Sequence, residues 1–447
     1  MKRLFLAALI LLGSLVASAQ TILTLEQSKS FALKNNASIK NSSLELRAAK
    51  EIKKEAYTNF FPKVSASALG MQAIDPIYQF TMLGGNLPVF DGNIANLSTA
   101  NEFAYMPDSK IGAINQLTLG YLNVLQPIYI GGKIKTGNKL ASLNIDVKER
   151  QQKLSENEVL MKTEQQYWLV VSLQEKQKAL ECYIEFLNKL HDQVKNAYKN
   201  GLILKNDLLK VSIKQSELQV NRLELENGKK LALMQLCQTI GVEYNADIIL
   251  DDDLNSFSSP EAYFVLSEDI LSNRTEYQLL EKAVEASKLQ TKMEKGEYMP
   301  TIALGAAGYR YDEYGDQHGH SNGLVYASLS IPISDWWSGK HKMKEMKGRE
   351  EIARNTLKNS GELLNLQIEK AWTDLSESYK KIGLAKQVLE QTKENLDVNK
   401  NSYDNGTIQL ADLLEARALN AEAENRLVDI ESLYKLALTN YLQVTGR

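Results

Sequence analysis

Two cysteines, eight prolines and four histidines are all that 447 residues contain of the types that staple, break or ligate a chain. Each scarcity excludes something. With so few prolines, and with long runs rich in Glu, Lys, Leu, Gln and Asn, the composition favours long helices over a compact mixed domain. Cys182 and Cys237 both fall inside helical patterns. If those helices form a hairpin turning near Leu204, the two thiols lie roughly 16 Å apart along its axis at 1.5 Å per residue, too far for a disulfide. Both are therefore expected as buried core thiols. His318 and His320, near Asp312, Glu313 and Asp316, form the one histidine cluster. No zinc spacing, nucleotide loop or nucleophile motif accompanies it, so no catalytic residue, metal or cofactor is expected.

Long apolar runs are missing as well, except at the start. Lys2 and Arg3, the apolar stretch Leu4 to Val16, and Ala17-Ser18-Ala19 read as an export signal over residues 1–19, with Gln20 as the mature start. No cysteine follows the cleavage site to carry a lipid. Nothing further along reaches the ~18 apolar residues of a spanning helix, so any membrane insertion must use strands. The net charge of −3, more negative once Lys2 and Arg3 are removed, offers no surface for nucleic acid.

What is present is a duplication. Lys195-Asn196-Ala197-Tyr198-Lys199-Asn200-Gly201, continuing to Asp207-Leu208-Leu209, recurs as Lys400-Asn401-Ser402-Tyr403-Asp404-Asn405-Gly406, continuing to Asp412-Leu413-Leu414. The register holds to Lys230-Leu231-Ala232-Leu233 against Lys435-Leu436-Ala437-Leu438, and to Gly241 against Gly446. Phe61-Pro62 parallels Met299-Pro300, and Gly132-Lys133 parallels Gly339-Lys340. One duplicated unit over 20–447 is expected: a first repeat at about 20–241, an irregular connector at about 242–271, and a second repeat at about 272–447. Each repeat reads helix, strand, loop, strand, long helix, tight turn, helix.

Within the repeats, apolar residues recur at seven-residue steps. Leu173, Leu180, Leu187 and Val194 form one row, Tyr183, Leu190 and Ala197 another, and Val211, Leu218, Leu225 and Ala232 a third. These are coiled-coil seams, and from Lys133 to Tyr198 they predict a helix of roughly 100 Å. Gly201 and Gly406 supply the positive φ that ends a helix, and Asp207 and Asp412 suit the start of the next. Those residues are expected in any tight helical hairpin, whatever its function.

Four segments of about 9 to 11 residues alternate apolar and small or polar positions, the length at which a tilted strand crosses a membrane. They contain Val64, Ala66 and Ala68; Leu117, Leu119 and Tyr121; Ile302, Leu304 and Ala306; and Val325, Ala327, Leu329 and Ile331. Lipid tolerates no open sheet edge, so four inserted strands require other copies, and an open conduit needs at least three. Ile74 to Ile114 is expected as a polar surface loop between the first pair, and Asp312 to Asn322 as the shorter turn between the second. Trp336-Trp337 suits an aromatic belt at the membrane interface.

The export signal, the Phe-Pro and Met-Pro strand starts, the Gly-Lys strand ends, and above all the two tips (Tyr198 to Leu202 with Asp207, Tyr403 to Thr407 with Asp412) resemble the TolC-type outer-membrane efflux family. That resemblance implies a mainly α, α+β fold: long helical hairpins forming an α-barrel, and four strands per protomer completing a trimeric twelve-stranded β-barrel. It implies a non-enzymatic exit duct in the outer membrane that reaches into the periplasm, passive, and coupled to an inner-membrane transporter through a periplasmic adaptor (membrane fusion) protein. By position, Gly201, Leu202, Asp207, Gly406, Thr407 and Asp412 would meet the adaptor. Asp412 and Glu415 would line the pore entrance, and Asn206, Asp207 and Tyr403 would lie where some members hold the closed state. The basic residue that follows Gly-Thr in such members is Ile408 here, so packing of Ile203 against Ile408 is expected in its place. An exported periplasmic adaptor or structural coiled-coil protein would share the long helices, but would carry one hairpin flanked by small β-domains.

Overall fold

The structure is a computed structural model that describes residues 22–113, 116–266, 270–313 and 319–447. The expected export signal, Gln20 and His318 lie outside the described residues. The chain divides into two compact units, one drawn from 1–51, 142–287 and 349–447, the other from 52–141 and 288–348.

Four helices dominate the first unit: α3 (Lys133–Lys199), α4 (Lys205–Ile240), α6 (Asp335–Asp404) and α7 (Leu410–Val444). They run for 67, 36, 70 and 35 residues, and the first and third begin in the other unit. The seven-residue rows explain their length. Leu187, Leu190 and Val194 of α3 and Val211 and Leu218 of α4 are buried in one seam, each contributing about 1.5–3 kcal/mol of apolar burial. Both cysteines are free, and Cys237 is buried. Cys182 is exposed, contrary to expectation, because it stands one residue before the seam position Tyr183 and so points about 100° away from it.

Two shorter helices, α1 (Leu25–Asn35) and α2 (Ala37–Thr58), precede the first strand pair, and α5 (Thr275–Glu297) precedes the second. The connector after α4 is largely irregular, but it is tied down. Its strand β8 (Ile249–Leu250) pairs in parallel with β1 (Ile22–Leu23), and Asp252 accepts the Leu25 N–H at 2.7 Å at the start of α1. The buried Tyr167 hydroxyl of α3 meets the Leu23 carbonyl at 3.0 Å and the Asp252 carboxylate, and this burial raises its pKa.

One carboxylate in this unit is poorly compensated. Glu431 of α7 is 3% exposed and its Oε1 has no hydrogen-bond partner. Burial pushes its pKa up to about 7, with Lys386 and Lys435 opposing the shift and Asp253 and Glu175 adding to it. A raised carboxyl pKa means that the folded state holds the proton more tightly. Stability is therefore full below the unfolded value near 4.5 and falls as pH rises from there to about 7. Glu431→Gln is expected to flatten that dependence, raising the melting temperature at pH 8 while leaving it unchanged at pH 4; equal pH profiles for the two proteins would refute this.

The second unit holds an antiparallel sheet of four strands, β2 (Lys63–Gln72), β7 (Gln116–Ile130), β9 (Thr301–Glu313) and β10 (His320–Ser330), in the order β10-β9-β7-β2. Pairing runs Val64–Val124, Val124–Ala306 and Val325–Ala306, so these side chains share one face. That face carries Ala66, Leu122, Ile302, Leu304, Ala327 and Leu329. The opposite face carries Ser65, Ser67, Asn123, Ala303, Ser328 and Ser330. There Tyr326 lies directly over Gly305, where any Cβ would collide with its ring, and its hydroxyl donates to Asn123 at 3.1 Å.

Strand β7 corrects the sequence reading. Leu117, Leu119 and Tyr121, expected to extend the apolar face, pair with Met71, Leu69 and Ser67 on the opposite one; Leu122 and Val124 take their place. The region expected as a polar loop at 74–114 is also different. It contains β3 (Tyr78–Met82), β4 (Gly85–Pro88), β5 (Phe103–Met106) and β6 (Ser109–Ala113), paired as two ribbons. Strand β9 runs to Glu313 and β10 begins at His320, so both strands reach into the stretch expected as a turn at 312–322.

Candidate functional site: the helical tips

The two tips are built alike. At the first, Gly201 adopts φ +71°, its N–H bonds the Tyr198 carbonyl at 3.0 Å, and the Leu202 N–H reaches back to Ala197 at 2.9 Å. At the second, Gly406 adopts φ +74°, bonding Tyr403 at 2.9 Å, with Thr407 reaching Ser402 at 2.9 Å. Each arrangement satisfies carbonyls that the last helical turn leaves open, and each needs a left-handed residue. No atom lies within 4 Å of where a Cβ would stand on either glycine. Alanine there would be strained by its backbone rather than by crowding, at about 1 kcal/mol.

Beyond the glycines the tips diverge. The first presents Leu202 and Leu204, 76% and 73% exposed, while the second presents Thr407 and Gln409. Asp207 pairs with Lys210 at 3.4 Å. The corresponding positions of the second tip are both acidic: Asp412, which accepts the Gln409 N–H at 3.1 Å, and Glu415. These two carboxylates are exposed on one side of α7, while Leu413, Ala416 and Arg417 are buried on the other. Asn206 is exposed; Tyr403 is half-buried, and burial, then the Asp207 and Asp404 carboxylates, raise its pKa.

Ile203 packs against the apolar cluster of α3 and α4, and Ile408 is half-buried. The second hairpin contributes Leu410 and Leu413 to the same cluster, at 6% and 2% exposure. The helical turn explains this: positions 410 and 413 face the seam once α7 has started, while 408 precedes the helix.

Deeper along α7 lies a polar cluster that sequence reasoning missed. The buried Arg417 guanidinium sits 4.5 Å from the Tyr183 ring and 5.9 Å from that of Phe186, with the Glu424 carboxylate at 3.6 Å. Asn420 donates to Glu424 at 2.8 Å. Arg417 thus joins the second hairpin to the first by stacking on aromatic faces. Burial raises the Tyr183 pKa, with Lys214 and Arg417 opposing the shift. The signal was available in the duplication, where the partner of Arg417 is Ser212 and that of Glu424 is Gln219.

Among the described residues no helix is long and apolar enough to cross a membrane, and no cluster of His, Cys, Asp and Glu could hold a metal ion. No curated protein matches the sequence. Residues 266–447 match the outer membrane efflux protein family. That stretch of the chain is similar to the family. The fold of the chain agrees along nearly its whole length with solved outer-membrane channels. Against the Campylobacter jejuni CmeC channel the TM-score is 0.75 at 17% identity, covering 94% of this chain and 85% of the other. The Vibrio cholerae outer membrane protein VceC gives 0.72 at 14%, covering 94% and 96%. The Neisseria gonorrhoeae MtrE channel, in its open state, gives 0.72 at 13%, covering 94% and 88%. The chain itself is mainly helical and carries a four-stranded antiparallel sheet.

Proposed function

We propose that three copies of this chain form a passive exit duct through the outer membrane, extended by their helices into the periplasm and supplied by an inner-membrane transporter through a periplasmic adaptor. The observation that carries the reading is the four-stranded sheet with both edges open. Its strands alternate in direction, so β2 and β10 run oppositely, and β10 of one copy can pair antiparallel with β2 of the next. Such head-to-tail pairing closes into a ring. Three copies give twelve strands, enough for a water-filled interior, with Leu122 and Val325 toward lipid and Ser67 and Ser328 toward the lumen. Trp336 and Trp337, exposed just beyond β10, then suit the membrane interface. The chain reads as one protomer over 20–447, of two repeats joined by the 242–271 connector.

The tips take the other two roles. Asp412 and Glu415 from three copies would place six carboxylates around the entrance, favouring cations. Gly201, Leu202, Asp207, Gly406, Thr407 and Asp412 would receive the adaptor, and Leu204 joins them because its exposed side chain flanks the same turn. Burying two leucines is worth about 2 kcal/mol each. Leu202→Ser combined with Leu204→Ser is therefore expected to reduce capture of the co-expressed adaptor at least about tenfold, with the heat-modifiable trimer retained. Unchanged capture would remove the tip assignment.

A further inference from the structure

The segment between β2 and β7 forms a one-sided ribbon that a single copy leaves uncovered. β3 and β6 pair antiparallel, with Phe80 opposite Ile111 and Thr81 opposite Lys110. Period-two alternation puts Tyr78, Phe80, Met82 and Ile111 on one face and Gln79, Thr81 and Lys110 on the other. The four apolar side chains are between 38% and 65% exposed. Beyond them β4 and β5 form a second ribbon, with Phe103 and Tyr105 also exposed. A two-stranded ribbon is marginally stable alone, and an apolar face of this kind marks a contact surface.

We propose that the face is covered by the same ribbon of the neighbouring copies, so that three ribbons form a collar at the outer mouth of the barrel. This rests on the trimeric duct proposed above. Two observations select the second copy as occupant. The ribbon grows from the β2–β7 hairpin, and β2 is the sheet edge that meets the next protomer, so the ribbon rises at the subunit seam. The lipid-side face of the sheet, moreover, ends in polar residues at the end where the ribbon begins: Gln72, Thr118, Arg310 and Ser321. This polar rim separates the ribbon from the apolar band that contacts lipid, so hydrocarbon does not supply the cover.

The test uses the full-length protein in outer membranes, with Cys182→Ser removing the exposed thiol. Single cysteines replace Tyr78, Phe80, Met82 or Ile111 on one face, and Gln79, Thr81 or Lys110 on the other. Oxidation is expected to link chains within the trimer from the apolar face and not from the polar face. Replacing residues 77–112 by a short Gly-Ser turn is expected to leave the trimer formed but to lower the temperature at which it dissociates. Trimers that form normally yet show no difference between the faces, and no loss of heat stability without the ribbon, overturn the collar. Quenching of a fluorophore at Phe80→Cys by brominated lipid would make lipid the occupant and overturn it equally. Absence of any trimer in the unaltered protein would instead strike at the duct itself.

Discussion

Leu122→Arg is expected to abolish the heat-modifiable trimer in the outer membrane, while Ser67→Arg leaves it intact and changes ion selectivity. The two residues sit on neighbouring paired strands but on opposite faces: Leu122 shares its side with Val124 and Ala306, and Ser67 shares the other with Tyr121. An arginine facing lipid near the midplane costs about 2–4 kcal/mol, and three copies would accumulate about 6–12 kcal/mol per trimer. An arginine in a wet lumen costs little. Gel migration before and after heating reads the first effect and planar-bilayer recording the second. If Ser67→Arg were lethal and Leu122→Arg silent, the faces would be reversed.

Arg417→Ala is expected to loosen the second hairpin from the first. The substitution leaves Glu424, 31% exposed, without its cation and takes the buried guanidinium off the Tyr183 and Phe186 rings. Losing a desolvated cation–π contact costs about 2 kcal/mol. Amide exchange should quicken along 410–424 and single-channel conductance should rise, because the tip of α7 is held to α3 through this stretch. Arg417→Lys should fall between, since lysine keeps the charge but not the planar stacking surface. A double replacement, Arg417→Met with Glu424→Leu, should recover much of the stability by filling the same space without charges. Exchange and conductance equal to those of the unaltered protein in Arg417→Ala would discard the role.

The long helices were legible because one pattern governs them throughout: rows such as Leu180, Leu187 and Val194 have a single apolar stripe and no proline to interrupt it. The tip turns were legible because Gly201 and Gly406 answer a backbone demand that few other residues meet. The face of β7 was not, because the strand carries apolar residues on both sides, Leu117 and Leu119 on one and Leu122 and Val124 on the other, so alternation alone does not choose between them. The ribbon was hidden differently. Its strands are four or five residues long and embedded in Asn, Gly and Ser, so each falls below the window in which period two stands out. Cys182 was misplaced by a single step of helical phase, which sequence periodicity fixes only to within a residue or two.

The most direct test is the native mass of the detergent-extracted protein, combined with cysteine crosslinking between β2 and β10. The duct requires a mass of three chains, with crosslinks joining β2 of one copy to β10 of the next. A monomer that stays in water without lipid, or a complex joined β2 to β2, would contradict it.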